Sequence, residues 1–244
     1  MEGKGIKVFG VVMALLLVFS LAATFSASST SVVSAGTQKW TEIDIPDTDD
    51  RQLAPNSDIG VIAVSPDGET LFAAVYNHAD YVGEWQVFKS TDGGYSWDAT
   101  DYNTDPDVVE TDRIVAMKVS PAWVDDDILV VATTANAYIS EGRGKDFASM
   151  GATAIGTITS MDVERNEDGD ATYVIGTNSD VYILSGFGGW VPQLISVDYS
   201  AFNGVYAVAF SPNYGEDGVV FALVEGQPSG LDQANGAHLR AETD

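Results

Sequence analysis

Cysteine is absent from this 244-residue chain, which excludes disulfide scaffolds, thiolate zinc sites and cysteine nucleophiles. Histidine is nearly absent. His78 and His238 are the only two, so a histidine-rich metal centre is excluded, and neither residue lies in a motif that would support a Ser/His/Asp triad. Basic residues are few, with 11 Lys and Arg against 36 Asp and Glu and a formal charge of −25. Nucleic acid and anionic membrane surfaces both require clustered Lys and Arg, so neither is an expected partner. Helical periodicity is missing too. Beyond the first 35 residues no window of ten or more places apolar residues at i, i+3, i+4 and i+7.

What the chain does have is apolar material, at 45% hydrophobic and 10% aromatic. Disorder needs low hydrophobicity as well as high net charge, so the composition points to an acidic globular protein with a packed core. Residues 1–35 stand apart. Lys4 and Lys7 precede an unbroken apolar stretch from Val8 to Ala23, followed by a Ser/Thr/Ala-rich segment ending in Val33-Ser34-Ala35. That order is the pattern of a secretory signal peptide, and the apolar stretch is short for a membrane span of about 20 residues. The expected location is extracellular or the cell surface. Membrane attachment is expected only through an uncleaved leader or a missing anchor.

From residue 36 the sequence repeats. Short runs rich in Val, Ile, Tyr and Thr alternate with Asp, Gly, Asn and Pro, the pattern of many short strands. A first strand ends around Val64, Val119, Val163 and Phe210, which lie 55, 44 and 47 positions apart. An acidic turn follows each: Asp67-Gly68, Asp125-Asp126-Asp127, Glu167 to Asp170, and Glu216-Asp217-Gly218. A second apolar strand comes next, and a third ends at Ser90, Ser140 and Ser185. A period near 45–50 residues with three or four strands per unit is the signature of propeller blades. The expected fold is therefore all-β, a β-propeller of about three and a half four-stranded blades over residues 36–224. Residues 225–244 read as a polar tail or truncated continuation. The first strand, Ile59 to Val64, is nearly all apolar, as an inner strand buried against its neighbours should be. Trp40 to Pro46 resembles an orphan outer strand. Because closed propellers have 4–8 blades, the chain reads as a fragment of a larger ring.

Ser90-Thr91-Asp92-Gly93-Gly94-Tyr95-Ser96-Trp97 matches S-x-D-x-G-x-[ST]-W, and here the chain resembles the Asp-box, or bacterial neuraminidase repeat, propellers. The motif residues are Ser90, Asp92, Gly94, Ser96 and Trp97. The next unit keeps Ser140, Gly144 and the aromatic Phe147 but lacks the aspartate; the third, from Ser185 to Trp190, is shorter. Ser120-Pro121-Ala122-Trp123 and Ser211-Pro212-Asn213-Tyr214 also resemble the S-P-x-[WY] turn of secreted members. In such families the Asp-box is a folding element at the blade periphery, so the resemblance implies fold rather than activity.

Relatives of this kind include sialidases, xyloglucanase-like glycoside hydrolases, sortilin-type receptors and surface-layer-like proteins. A sialidase needs three substrate-binding arginines, and none of Arg51, Arg113, Arg143, Arg165 and Arg240 sits in the expected context. A glycosidase needs two carboxyls at a suitable separation, which an acid-rich sequence cannot test. No catalytic residue is assigned. Asn166 to Asp170 has the alternating oxygens of a calcium loop without its downstream glutamate, which makes calcium the one candidate cofactor. Trp85, Trp123 and Trp190 form a candidate carbohydrate platform, with blade packing as the competing role. Two readings follow. One is a secreted non-catalytic propeller of the surface-layer or extracellular binding type, with a protein or polysaccharide partner. The other is the N-terminal part of a secreted glycoside hydrolase of the xyloglucanase or sialidase kind.

Overall fold

The computed structural model describes residues 56–78, 81–109, 111–152, 155–186, 188–193, 199–228 and 236–242. The leader at 1–35 and the orphan strand at 40–46 lie outside the described residues. Fifteen strands among the described residues form four antiparallel sheets, each built from consecutive strands in chain order. The first sheet holds β1 (Asp58–Val64), β2 (Leu71–His78), β3 (Tyr81–Ser90) and β4 (Asp98–Ala99). The second holds β5 (Ile114–Val119), β6 (Leu129–Thr133), β7 (Ala137–Ser140) and β8 (Phe147–Ser149). The third holds β9 (Ile158–Arg165), β10 (Ala171–Thr177), β11 (Val181–Ser185) and β12 (Val191–Pro192), and the fourth β13 (Tyr199–Phe210), β14 (Val220–Pro228) and β15 (Gly236–Glu242). Two four-residue helices interrupt them, α1 (Trp123–Asp126) and α2 (Tyr214–Asp217).

The four first strands are equivalent in register as well as in order. Val64, Val119 and Phe210 pair with the opening residue of the next strand, Leu71, Leu129 and Val220, and Val163 pairs with Tyr173, the third residue of β10. Each first strand also carries a bulge four residues before that position, at Gly60, Val115, Thr159 and Tyr206. A bulge bends the strand and adds twist, so its recurrence gives all four sheets the same curvature. The fold is a β-propeller array.

Packing follows from the period-2 alternation of strands. Among the described residues three apolar clusters each lie between consecutive sheets, while Ala73, Val75 and Phe88 are buried on the other face of the first sheet. The first joins Phe72, Ala74 and Trp85 to Met117, Trp123 and Leu129. The second joins Val130 and Ala132 to Met161, Val163 and Ile175. The third joins Val174 and Val181 to Val208, Phe210 and Val220. Fully burying one aliphatic side chain stabilises by about 1.5–3 kcal/mol, so these junctions are what hold sheet to sheet.

Three expectations need correction. β1 is apolar, yet Ile62 and Val64 on one of its faces are exposed rather than buried between neighbours. The outer strand expected over Trp97–Tyr102 is only Asp98–Ala99; the chain then turns into a 3-10 helix (Asp101–Asn103) that buries Tyr102 in the first junction. The fourth unit does not stop at Val224, because β14 continues to Pro228 and pairs with β15 from Val220↔Glu242 to Gly226↔Gly236. Ala237, Leu239 and Ala241 alternate there with His238, Arg240 and Glu242, the period-2 pattern of a strand.

Candidate functional site

The turns carry the polar chemistry. In the first, second and fourth sheets, a serine closing the first strand donates its hydroxyl to an aspartate, and that aspartate accepts the backbone N–H two residues on. The sets are Ser65, Asp67 and Glu69; Ser120, Asp126 and Ile128; and Ser211, Asp217 and Val219. The serine–aspartate spacing grows from two residues to six where α1 and α2 are inserted. In the third sheet Asn166 takes over, with Oδ1 accepting from Asp168 N at 3.1 Å and Asp170 N at 2.8 Å. The candidate calcium oxygen is thus already engaged by its own turn, and among the described residues no group of three His, Asp or Glu is placed to hold a metal ion.

The turn from Ser90 to Trp97 is organised around Asp92. Its Oδ1 accepts Ser90 Oγ at 2.8 Å and Ser96 N at 3.0 Å, and its Oδ2 accepts Ser96 Oγ at 2.6 Å. These bonds, the Ser96 hydroxyl first, pull the carboxyl down to about 2. Gly93 and Gly94 sit at φ 77° and 90°, conformations that a side chain would strain. Trp97 Nε1 donates to Gly94 O at 3.2 Å. The equivalent turn from Ser140 has no such aspartate, yet Ser140 Oγ still accepts Gly144 N at 3.1 Å. The serine is therefore the part of the turn that persists.

The three tryptophans do not share a surface. Trp85 and Trp123 are buried in the first junction, Trp85 beside Tyr76 and Trp123 edge-to-face with Phe72 at 5.7 Å. Trp190 packs partly buried against the second junction and donates to Met150 O at 2.9 Å. As a carbohydrate platform the set is corrected to blade packing, since stacking on a sugar needs an exposed ring face.

A polar knot missed at the sequence level ties the second sheet to the third. Arg165 donates Nη2 to Asp126 and Nη1 to Gly169 O, while Lys118 reaches Asp162 at 3.2 Å. Burial pushes the nearby Tyr173 phenol up to about 12, with the charges of Glu141 and Asp126 adding to it. A phenol held that high stays protonated at neutral pH and is a poor nucleophile. No sequence signal marked the knot, because its ion pairs join residues of different repeat units.

A cleft of about 440 Å³ lies between the Asn166–Gly169 turn and α2, lined among others by Glu167, Asp168, Glu216 and Asp217. Asp217 is engaged by Ser211 and Val219; Glu167, Asp168 and Glu216 are solvent-facing. The cleft offers carboxylate oxygens to a polar or cationic group.

Neither a protein-family model nor a curated protein sequence matches the chain. Solved structures do. A GH74 enzyme from Niastella koreensis superposes with a TM-score of 0.54 at 15% identity, over 76% of this chain and 28% of that one. A GH74 xyloglucanase from Xanthomonas campestris gives 0.49 at 20% identity, over 76% and 29%. YCF48 from Cyanidioschyzon merolae gives 0.36 at 13%, over 78% and 73%. The first of these likenesses supports the β-propeller fold. The chain spans less than a third of the two GH74 proteins.

Proposed function

We propose that the chain is the propeller of an exported, non-catalytic protein acting at the cell surface, as a surface-layer-type component or an extracellular binding module for protein or polysaccharide. In this reading residues 1–35 direct export, and Ser90–Trp97 is an Asp-box that stabilises its blade. The observation that carries it is the use made of the turn acids. Asp92, Asp126 and Asp217 engage both carboxylate oxygens in hydrogen bonds that build turns, as folding elements do. Strong negative charge also keeps an exported protein soluble and monodisperse.

The second reading, the N-terminal part of a glycoside hydrolase, is favoured by the fold likeness to a GH74 enzyme. One experiment separates the two. Purified chain is incubated with xyloglucan oligosaccharides and aryl-sialosides, and retention on the insoluble polysaccharides is measured in parallel. Retention without turnover supports the first reading. Turnover that disappears when Glu167, Asp168 or Glu216 is changed to its amide refutes it.

A further inference from the structure

Asparagine followed by glycine is the residue pair most open to spontaneous ring closure, because glycine has no Cβ to hinder attack by its own amide nitrogen. Asn203-Gly204 is such a pair. Its place in β13 is irregular. Pairing with β14 runs from Ser200↔Gln227 straight to Gly204↔Glu225, so three residues of β13 face one of β14. A bulge leaves its extra residues outside the ladder. Gly204 itself sits at φ 127°, a backbone conformation that a side chain would strain.

Asn203 is exposed, and among the described residues no hydrogen bond holds its amide. Other asparagines are engaged. Asn77 Oδ1 accepts Gly83 N at 2.9 Å, Asn136 Oδ1 accepts Ala137 N at 2.9 Å, and Asn178 Oδ1 accepts Thr157 N at 2.9 Å. Asn166 holds its own turn as described above. None of these four precedes a glycine. Asn213 is exposed like Asn203, but the bulky Tyr214 follows it. Exposure, a free amide and a following glycine meet at Asn203.

We infer that Asn203 is a site of spontaneous covalent modification, deamidating in the folded chain. The Gly204 amide nitrogen attacks Asn203 Cγ. The N–Cγ bond forms as Cγ–Nδ2 breaks, and the Gly204 N–H proton leaves with Nδ2 as ammonia. The resulting succinimide then takes up one water at either carbonyl. Opening at Cγ gives aspartate; opening at the main-chain carbonyl gives isoaspartate, whose backbone runs through Cβ and Cγ and is one carbon longer. Both products add a negative charge. Only isoaspartate lengthens the chain ahead of Gly204, where room is scarce: a Cβ on Gly204 would stand 3.1 Å from Asn178 Cα. Val205 and Val208 beyond it are buried in the third junction, so the longer backbone displaces residues that hold the third sheet to the fourth.

The test is prolonged incubation of the purified folded chain at mildly alkaline pH, followed by cleavage after acidic residues. Glu225 lies between Asn203 and Asn235, so the two Asn-Gly pairs fall on separate peptides. Mass spectrometry reads the amide-to-acid change, and an isoaspartyl methyltransferase reads the rearranged product. The Asn203 peptide should convert roughly tenfold or more faster than those of Asn178 and Asn213, a barrier lower by about 1.4 kcal/mol. Asn203→Gln, which would have to close a six-membered ring, should lose the conversion at this position and keep the thermal transition. Asn203→Asp carries the charge without the extra carbon and should also keep it, whereas the isoaspartyl fraction of the wild type should melt at lower temperature. Conversion at Asn203 no faster than at Asn178 and Asn213 overturns the inference. So does conversion that appears only after urea has unfolded the chain. An isoaspartyl fraction that melts with the unmodified chain overturns the strain assigned to the third junction.

Discussion

Trp123→Ala tests how far the sheets depend on their junctions. Trp123 opens α1, which the second sheet extends towards the first, and its ring is 1% exposed. It meets Phe72 of β2 edge-to-face at 5.7 Å and lies under the Arg143 guanidinium at 5.4 Å. A buried tryptophan removes about 200 Å² from water, worth about 5 kcal/mol at 25 cal/mol per Å². The edge contact adds about 1 kcal/mol. Relaxation around the truncated site recovers part of this, so a loss of about 4 kcal/mol is expected, within the range for Trp→Ala in cores. At this chain length that corresponds to a melting shift of roughly 8–16 °C. Val124→Ala is the control, since Val124 is the next residue on α1 and is 69% exposed; its effect should stay within about 0.5 kcal/mol. Urea titration followed by tryptophan fluorescence and by far-UV dichroism reads both variants. A Trp123→Ala loss below about 1 kcal/mol, or equal to that of Val124→Ala, would refute the wedge role.

Asp126→Ala removes the acceptor for Ser120, Ile128 and Arg165 and should cost about 2–3 kcal/mol in urea titration, while Asp125→Ala on the exposed side of α1 should cost almost nothing. At Gly176 an added Cβ would stand 2.7 Å from Val205 Cγ1 and 2.8 Å from Ser160 Oγ. Gly176→Ala should therefore destabilise by about 1–3 kcal/mol, and a double-mutant cycle with Val205→Ala should return a coupling of the relieving sign. Asp92 is held at about 2 against an ordinary 3.8, so the folded state takes up its proton at lower pH than the unfolded chain. Its contribution is present in full above about pH 4 and lost as pH falls towards 2. The gap in denaturation midpoint between wild type and Asp92→Ala should close over that window, and a gap independent of pH would count against the hydrogen bonds assigned to Asp92.

The sheets were legible because the repeat fixes spacing, serine position and turn acid together. Val64, Val119, Val163 and Phe210 could be aligned without coordinates, and the structure places each four residues after the bulge of its first strand. Bulges left no such trace, since Gly60, Val115, Thr159 and Tyr206 share no side-chain property. The tryptophans were ambiguous for a physical reason: a ring that stacks on sugar and a ring that fills a junction are the same residue type, and only burial separates them. Gly236–Glu242 escaped notice because its alternation of Ala237, Leu239 and Ala241 with His238, Arg240 and Glu242 is short and lacks the Val, Ile and Tyr that mark the other strands. Ile62 and Val64 read as buried because apolar content reports what a side chain is suited to meet, and not how far along a strand the covering chain reaches. The turn acids were visible as acids; their engagement by Ser65, Ser120 and Ser211 depends on loop closure that composition does not encode.

The repeat is tested most directly by native-state amide hydrogen exchange read strand by strand. Sheets held together through apolar junctions predict that β6 and β10, whose Leu129, Val130, Val131, Val174 and Ile175 are buried, exchange slowly and at a common rate, while the two-residue strands β4 and β12 exchange fast. Fast exchange in β6 or β10 would contradict an array held together at its junctions.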